Sequence, residues 1–216
     1  ILADTNTTTF EVGDEPKQFK KKFPEIPVAV DTSRVRGIKK LLQDISDLNV
    51  ILLDDAFQHR SVKSGLNILL TDYCNMYYDD ILLPTGTLRE FRSGNERADI
   101  IIVTKTPPIF SPLEQRIIQK KIKPLPHQRL YFSFVKYGNF FPLFSNEVPL
   151  PCESYTEKKY SILLFTGIAN ATPLVNFLKS KSADILHIEF HDHHPYSSKD
   201  MYDIKEKFNS ITKKNK

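Results

Sequence analysis

The sequence predicts an α/β fold built around a parallel sheet. Six short apolar runs are predicted to be buried strands, and apolar residues at helical spacing lie between them. Because the runs are continuously apolar rather than alternating, the strands are expected to be covered on both faces, as in a parallel sheet. Alternation of strands and helices is typical of this class. The predicted strands are 50–53, 66–70, 99–104, 130–135, 160–165 and 184–190.

Four segments carry helix signals. Between 33 and 48 apolar residues recur at helical spacing, with capping residues at 31–33. The stretch SPLE at 111–114 combines a Ser cap, Pro at the first helical position and Glu three residues after the cap, which is a capping box. Thr172-Pro173 is predicted to open a third helix, and 197–200 a fourth.

Two segments interrupt this alternation. Residues 73–97 form a long stretch with no sustained period, and a loop of that length in a compact domain is usually functional. Residues 136–159 are rich in Pro, Asn, Gly and aromatics, which predicts a hinge or linker between two lobes.

The composition is that of an ordinary globular protein. The 216 residues are 40% apolar and 26% charged, which excludes a disordered or collagenous chain. A net charge of +4 permits an anionic ligand but does not argue for nucleic acid. Cys74 and Cys152 lie far apart, so neither a disulfide framework nor a cysteine zinc site is supported. No apolar run reaches bilayer length, although a chain that opens on Ile1 leaves room for an upstream segment, including a membrane anchor.

Two adjacent carboxylates follow the first predicted strand, in VILLDDAFQHR at 50–60. An Asp at the end of a buried strand can hold Mg²⁺ at the sheet edge where α/β folds bind ligands. Gln58 and His59 would point into the same crevice as Asp54 and Asp55. The alternative is that the two acids only cap the turn.

Two further stretches combine acids with turn residues or histidines. VGDEP at 12–16 has the composition of a turn, and that interpretation alone accounts for it.

HDHH at 191–194 follows the last predicted strand, and three interpretations stay open. It could bind zinc, it could supply a proton-transfer histidine oriented by Asp192 or by another carboxylate, or it could be a polar strand end.

The loop LLPTGTLREFRSG at 82–94 places Arg89 and Arg92 near two glycines. Guanidinium groups in such a loop can clamp phosphate. The alternative is a surface loop with ion pairs, such as Arg89 or Arg92 with Glu90.

Taken in order, seven stretches resemble the tetraacyldisaccharide 4'-kinase (lipid A 4'-kinase) family. They are GDEP, LLDDAFQHR, LNILLTD, LLPTGTLRE, ADIIIVTKTP, FTGIANATP and FHDHHPY, and the resemblance extends from about 12 to about 196. It implies a kinase that transfers the γ-phosphate of ATP, with Mg²⁺, to the 4'-hydroxyl of a tetraacyl glucosamine disaccharide 1-phosphate. The implied partners are this lipid A precursor and, by peripheral contact, the cytoplasmic face of the inner membrane, with no nucleic acid.

The resemblance also implies an architecture and a set of site residues. The architecture is an incomplete P-loop-kinase-like core at 1–128, a hinge at 129–159 and a smaller, truncated α/β lobe at 160–216. Asp14 and His193 would form the proton-accepting pair. The other implied roles are Mg²⁺ and phosphate binding for Asp54 and Asp55, nucleotide proximity for Gln58 and His59, and sugar-phosphate proximity for Arg89 and Glu90.

The sequence departs from the family pattern in three places. No G-x-x-x-x-G-K-[ST] loop occurs, and a TTEKD-like segment after the histidines is also missing. We therefore expect that this sequence is a fragment, truncated at both ends, and that the fragment is inactive by itself. Ala56 stands where the family usually has glycine, which would cost about 1 kcal/mol if this residue needs positive φ.

Two rival functions remain open at this point. A metal-dependent phosphatase or hydrolase would use Asp54, Asp55 and the histidines, and would retain zinc or manganese without nucleotide. A non-catalytic module would only bind a sugar phosphate or a lipid.

Overall fold

A computed structural model describes residues 2–3, 7–140, 160–182 and 184–211 of the chain. These residues divide into two units, of which the first ends at Val135 and the second begins at Lys136. Each unit contains strands and helices; the first has two sheets and the second has one among the described residues.

The first unit is organised around a three-stranded parallel sheet. Its strands are β3 (Ile68–Asp72), β4 (Ile100–Thr104) and β5 (Arg129–Phe132), and β4 is central. The register pairs Ile100 with Ile68 on one side and with Arg129 on the other. A separate antiparallel pair joins β1 (Leu2–Ala3) to β2 (Val28–Ala29). Ile101 and Val103 of β4 are fully buried, so the core of this unit lies on the central strand.

Among its described residues, the first unit has four α-helices and one 3₁₀ helix. They are α1 (Thr9–Val12), α2 (Asp14–Lys22), α3 (Arg34–Asp44), the 3₁₀ helix Arg92–Arg97 and α4 (Pro112–Ile122). The predicted capping box of α4 is confirmed, since Ser111 Oγ accepts from Glu114 N at 3.2 Å and Glu114 Oε2 accepts from Ser111 N at 3.1 Å. Ile118 and Ile122 of α4 then pack into the core with the central strand.

In the part of the second unit that the structure describes, two parallel strands are paired with two helices. The elements are β6 (Ile162–Thr166), α5 (Thr172–Lys179), β7 (Ile185–Glu189) and α6 (Ser198–Ser210). Ile162 pairs with Ile185, and each helix buries one aliphatic side chain, Leu178 from α5 and Ile204 from α6. In the described part of the chain, none of the helices combines the length and the apolar character that a membrane crossing needs.

The predicted α/β class with parallel sheets is confirmed. Five of the six predicted strands form, but the strand predicted at 50–53 is wrong, because those residues belong to none of the described sheets. Val50 and Leu52 are 69% and 90% exposed. An apolar run indicates a tendency to be buried, whereas a strand also needs a hydrogen-bonded neighbour, and the described residues supply none here.

The four predicted helices form, whereas α1, α2 and the 3₁₀ helix were not predicted. Helix α3 ends at Asp44 rather than near 48. VGDEP does turn, at Gly13 (φ 89°), but α2 begins at once with Asp14. Pro16 is tolerated there because the first N–H groups of a helix lack intrahelical partners. The carboxylates of Asp14 and Glu15 in this turn interact favourably with the positive end of the helix dipole.

The segment predicted as a hinge, 129–159, is described only in part. Its first four residues form β5 in the sheet of the first unit, and 141–159 lie outside the described residues.

Candidate functional site

Asp54 and Asp55 lie in a turn that is closed by local hydrogen bonds. The Asp55 N–H donates to Asp54 Oδ1 at 3.0 Å, and Gln58 Nε2 donates to the Asp55 carbonyl oxygen at 3.1 Å. The His59 N–H donates to the Ala56 carbonyl oxygen at 2.8 Å. The residue with positive φ is Asp55 (φ 44°) and not Ala56, so the expected strain at Ala56 does not arise.

An ion pair joins this turn to the arginine loop. Arg89 Nη1 lies 2.7 Å from Asp55 Oδ2, and the two side chains are 58% and 65% exposed. An exposed pair of this kind adds little to stability, typically about 0–1 kcal/mol. Its consequence is geometric, because it places a guanidinium at the Asp55 carboxylate.

Glu90 is held by Arg97, a residue that the sequence analysis did not select. Arg97 Nη2 lies 2.7 Å from Glu90 Oε1 and donates to the Phe57 carbonyl oxygen at 3.0 Å. Its guanidinium also lies over the Phe57 ring, 4.7 Å from the centroid. Arg97 therefore ties the carboxylate turn to the arginine loop a second time, and Glu90 pairs with it rather than with Arg89 or Arg92.

Asp80 organises the rest of the arginine loop. Its carboxylate accepts the N–H groups of Ile81 and Thr87 at 2.7 and 3.1 Å, together with the Thr87 hydroxyl. These bonds, first of all the hydroxyl bond, hold the pKa of Asp80 below its usual value. Arg92 Nε donates to the Asp80 carbonyl oxygen at 2.8 Å, so Arg92 closes the loop.

A second charged pair, also missed from the sequence, lies at the carboxyl ends of β3 and β4. Lys105 Nζ lies 2.7 Å from Asp72 Oδ2, and Lys105 has positive φ (56°). Burial opposes ionisation of Asp72, but hydrogen bonds from Lys105 and from the Cys74 N–H outweigh it, so the pKa of Asp72 is lowered. Open α/β sheets bind ligands at this edge.

The first unit thus brings together most of the residues selected from its sequence. Asp54, Asp55, Gln58 and His59 share one turn, and Arg89 is attached to it by the ion pair. Asp14 lies elsewhere in this unit, in the first turn of α2.

In the second unit, His193 lies at a tight turn after β7. Residues 192–193 turn instead of continuing as the predicted extended segment, and His193 has positive φ (53°). Its N–H donates to the Gly167 carbonyl oxygen at 3.0 Å. The His193 side chain is 68% exposed, and its Nε2 lies 3.9 Å from Asp192 Oδ2. The turn therefore presents an imidazole to solvent with a carboxylate beside it.

His194, its neighbour, faces the interior of the second unit. The His194 side chain is only 17% exposed, stacks on Phe190 at 4.6 Å between ring centroids, and lies 3.1 Å from Asp200 Oδ2. Among the described residues, no group of three or more His, Cys, Asp or Glu side chains is arranged to hold a metal ion, so zinc binding by HDHH gains no support.

The comparisons with known proteins all point to one family. The family described as Tetraacyldisaccharide-1-P 4'-kinase matches residues 1–214. A "Tetraacyldisaccharide 4'-kinase" of Bacteroides thetaiotaomicron is 44% identical over 98% of this chain and 57% of its own length. Proteins with the same name from Flavobacterium johnsoniae and Cytophaga hutchinsonii are 42% and 40% identical, over 97% and 93% of this chain and 60% and 55% of their own lengths.

The chain therefore spans somewhat more than half the length of these relatives. No solved structure matches it significantly. The ordered motifs and the match over nearly all of the sequence place it with these proteins: the chain belongs to the tetraacyldisaccharide-1-P 4'-kinase family.

Proposed function

We propose that the complete protein transfers the γ-phosphate of ATP to the 4'-hydroxyl of a tetraacyl glucosamine disaccharide 1-phosphate, a step of lipid A biosynthesis. The family match over residues 1–214 carries this proposal. The ion pair between Asp55 and Arg89 supports it, because it joins two of the family's motifs in one place. We assign ATP as the phosphate donor and Mg²⁺ as the metal ion.

Asp54 and Asp55 fit a magnesium ion by their chemistry. Mg²⁺ prefers oxygen ligands, keeps several waters, and is usually held by one or two carboxylates together with substrate phosphates. Both carboxylates are exposed and adjacent. When bound, the ion would neutralise charge on the phosphates of ATP, on which phosphoryl transfer chiefly depends.

Arg89 is the phosphate-binding group of this proposal. A guanidinium has five N–H donors in a planar fork that matches phosphate, and among the described residues Asp55 receives one hydrogen bond from it. The ion pair orients the fork and leaves other donors for phosphate oxygens. Gln58 and His59 border the same turn, and we place them near the nucleotide. We place Glu90, held beside Arg89 by Arg97, near the sugar phosphate.

His193 is the proposed acceptor of the proton from the attacking hydroxyl. Its imidazole is exposed on a turn with fixed backbone geometry, which suits a group that must reach a substrate. We propose Asp14 as its carboxylate partner, an assignment supported by family membership. Asp192, 3.9 Å from His193 Nε2, is the alternative carboxylate within the same turn.

For the whole protein we propose a P-loop-type core that includes the first unit with β5, a hinge within 136–159 and a smaller lobe from 160 onward. The lipid substrate implies work at a membrane surface, so we place the protein peripherally on the cytoplasmic face of the inner membrane. The rival phosphatase and the rival binding module gain no support from the relatives, whose names are those of kinases.

Incubating the full-length protein with labelled ATP, Mg²⁺ and a tetraacyl disaccharide 1-phosphate tests the proposal. We expect label to enter the lipid at the 4' position. If ATP is consumed and the lipid stays unlabelled, the substrate assignment is wrong. Retention of zinc or manganese without nucleotide, together with phosphate release from the lipid, would favour the hydrolase instead.

A further inference from the structure

The carboxyl ends of the three parallel strands of the first unit lie at one edge of their sheet. The register pairs Asp72, the last residue of β3, with Thr104, the last residue of β4. Val103 of β4 pairs in turn with Phe132, the last residue of β5. Lys105 follows β4 directly, so it lies at the edge where open α/β sheets bind their ligands.

The backbone at Lys105 has an uncommon conformation that its neighbours hold in place. Its φ of 56° lies in the left-handed region, which is unfavourable for a residue with a Cβ. On one side of it, the Thr104 carbonyl oxygen accepts the Tyr73 N–H at 2.9 Å. On the other side, the Thr106 N–H donates to the Ser133 carbonyl oxygen at 3.0 Å. Backbone strain that the surrounding structure maintains in this way is concentrated at ligand-binding and active sites.

The ion pair of Asp72 and Lys105 has hydrogen-bonding capacity to spare. Asp72 Oδ2 accepts from Lys105 Nζ at 2.7 Å, and Asp72 Oδ1 accepts from the Cys74 N–H at 2.8 Å. A carboxylate has about four acceptor positions and an ammonium has three donors, so within the described ranges these bonds leave both kinds of group for a ligand. The side chains of Asp72 and Lys105 are 30% and 54% exposed, so a ligand can reach both from solvent.

The balance of charge on this pair favours an uncharged polar ligand. A phosphate bound by Lys105 would also meet the Asp72 carboxylate, whose repulsion offsets the attraction of the ammonium. A nucleoside carries no charge, and its ribose hydroxyls can donate to a carboxylate while the ring nitrogens of its base accept from an ammonium. In dinucleotide-binding folds, an acidic side chain accepts a hydrogen bond from a ribose hydroxyl in the same manner.

The loop that follows Lys105 adds an apolar surface. Its residues 107–109, two prolines and an isoleucine, are exposed, and the Ile109 side chain is almost entirely so. The loop is anchored at Phe110, whose ring meets the Tyr73 ring edge-on at 5.6 Å between centroids. Small-molecule sites combine apolar surface with a few polar groups. The apolar loop and the charged pair therefore match the base and the ribose of a nucleoside.

We propose that Asp72 and Lys105 bind the nucleoside part of ATP, with Asp72 accepting hydrogen bonds from the ribose hydroxyls and Lys105 donating to the base. This inference rests on the proposed function, in which ATP is the phosphate donor. It assigns the nucleoside to other residues than the phosphates, which we placed at Asp55 and Arg89. The Lys105 side chain is already held by its ion pair, so it loses little further freedom when the nucleoside binds.

The first test uses the unsubstituted full-length protein and analogues of MgATP that lack one ribose hydroxyl. Calorimetry should show that the 2'-deoxy or the 3'-deoxy analogue binds roughly ten- to a hundredfold more weakly than MgATP, the loss typical of one hydrogen bond to a charged group. Equal affinities for MgATP and both analogues would overturn the ribose contact.

The second test compares Asp72→Asn and Lys105→Gln with the unsubstituted full-length protein. Gln is unbranched at Cβ, as Lys is, so it adds no backbone strain at residue 105. We expect each substitution to weaken MgATP binding roughly ten- to a hundredfold and to leave the affinity for magnesium tripolyphosphate, which has no nucleoside, unchanged. Retained tripolyphosphate binding also shows that the variant is folded. Lys121→Gln is the matched control and should bind MgATP normally, since Lys121 forms a comparably exposed pair with Asp79.

The possible outcomes separate this inference from the proposed function. Equal losses for MgATP and tripolyphosphate would assign the pair to the phosphates and overturn the nucleoside assignment. Unchanged MgATP binding in both variants would show that the pair only joins the ends of β3 and β4. An unsubstituted protein that binds MgATP but phosphorylates no lipid would refute the proposed function and leave this inference standing, whereas one that binds no MgATP would refute both.

Discussion

Arg97 and Phe57 lie 40 residues apart in sequence, yet Arg97 Nη2 donates to the Phe57 carbonyl oxygen at 3.0 Å while the guanidinium covers the Phe57 ring. The same Nη2 atom binds Glu90 at 2.7 Å. One side chain thereby fixes the carboxylate turn against the arginine loop. Asp55 and Arg89 form a second link between them, so the candidate site depends on long-range contacts as well as on its own residues.

The first prediction concerns Arg97. Arg97→Ala in the full-length protein should lower the free energy of unfolding by about 1–2 kcal/mol, because it leaves a half-buried carboxylate and a carbonyl without their donor. Urea unfolding measures this. Arg116→Ala, an exposed arginine on α4, should change stability by less than about 0.5 kcal/mol. Equal effects of the two substitutions would show that the contacts of Arg97 contribute nothing.

The second prediction separates stability from activity at Asp55 and Arg89. Asn is chosen at Asp55 because, unlike Ala, it tolerates the positive φ of that residue. Since both side chains are more than half exposed, Asp55→Asn and Arg89→Ala should each change the free energy of unfolding by less than about 1 kcal/mol. Lipid phosphorylation should fall by about 10²–10³-fold, the cost typical of losing one preorganised electrostatic group.

Asp54→Ala belongs to the same experiment and should weaken the dependence of the rate on Mg²⁺. Asp47→Ala, an exposed acid just before this segment, is the control and should retain full activity. Normal rates and normal Mg²⁺ titrations in both aspartate variants would show that Asp54 and Asp55 only cap the turn.

The third prediction concerns Gly86. A Cβ there would collide with the Ile81 carbonyl oxygen and with Asp80 Oδ1. Gly86→Ala should therefore destabilise the protein by about 1–3 kcal/mol, the range of overpacking, and reduce activity by disturbing the loop that carries Arg89. A Cβ at Gly65 would meet no other atom within 4 Å, so Gly65→Ala should be neutral or slightly stabilising. Thermal unfolding of the two variants compares them directly, and a stable Gly86→Ala variant would contradict the assigned packing.

The sequence predicted what depends on local chemistry. The capping box at Ser111 and the helix start after Ser33 follow from residues a few positions apart, and both form. The five observed strands that match predicted runs are likewise apolar segments with partners. Residues 50–53 show the limit, because the same apolar pattern does not specify which neighbour will pair with it.

The residues of the candidate site also fall into two groups, those that the local sequence indicated and those that depend on distant contacts. Asp54 and Asp55 could be selected because they follow an apolar run, and Arg89 because it lies in a loop with glycines. Arg97 could not be selected, since its three contacts depend on how residues 7 and 40 positions away fold back on it. His194 and Asp200 are six positions apart, but their pairing needed the turn at His193, whereas the sequence favoured an extended chain.

The fourth prediction is the acid dependence of stability. The pKa of Asp31 is lowered to about 2, first by its hydrogen bond from Arg36 and then by the Ser33 N–H. A carboxyl whose folded pKa lies below its unfolded value stabilises the fold above the unfolded pKa, and this stabilisation is lost as pH falls toward 2. Asp31→Asn should therefore flatten the loss of stability between about pH 4 and pH 2.

Urea midpoints measured from pH 7 to pH 2 test this expectation. Asp47→Asn serves as the control, with an acid limb expected to match that of the unsubstituted protein. Parallel acid limbs for Asp31→Asn and the unsubstituted protein would show that the Arg36 pair does not contribute.

The last prediction concerns the proton-accepting pair proposed for Asp14 and His193. If the two act as one unit, Asp14→Ala and His193→Ala should each slow lipid phosphorylation by roughly 10²–10⁴, as general-base loss does. The double variant should be little slower than the worse single variant, because residues that act as a unit are strongly non-additive.

Glu15→Ala is the control for Asp14, since Glu15 is its exposed neighbour in the same helical turn. His194→Ala should lower the thermal stability more than His193→Ala does, because the His194 ring is packed inside the second unit. His193→Ala should lower the stability only by the roughly 1–2 kcal/mol that Ala costs at the positive φ of this residue. The measurement is the rate of lipid phosphorylation at saturating MgATP for the four substitutions and the double variant. Multiplicative losses in the double variant would assign Asp14 and His193 independent roles. An unimpaired Asp14→Ala variant would leave Asp192 as the carboxylate beside His193.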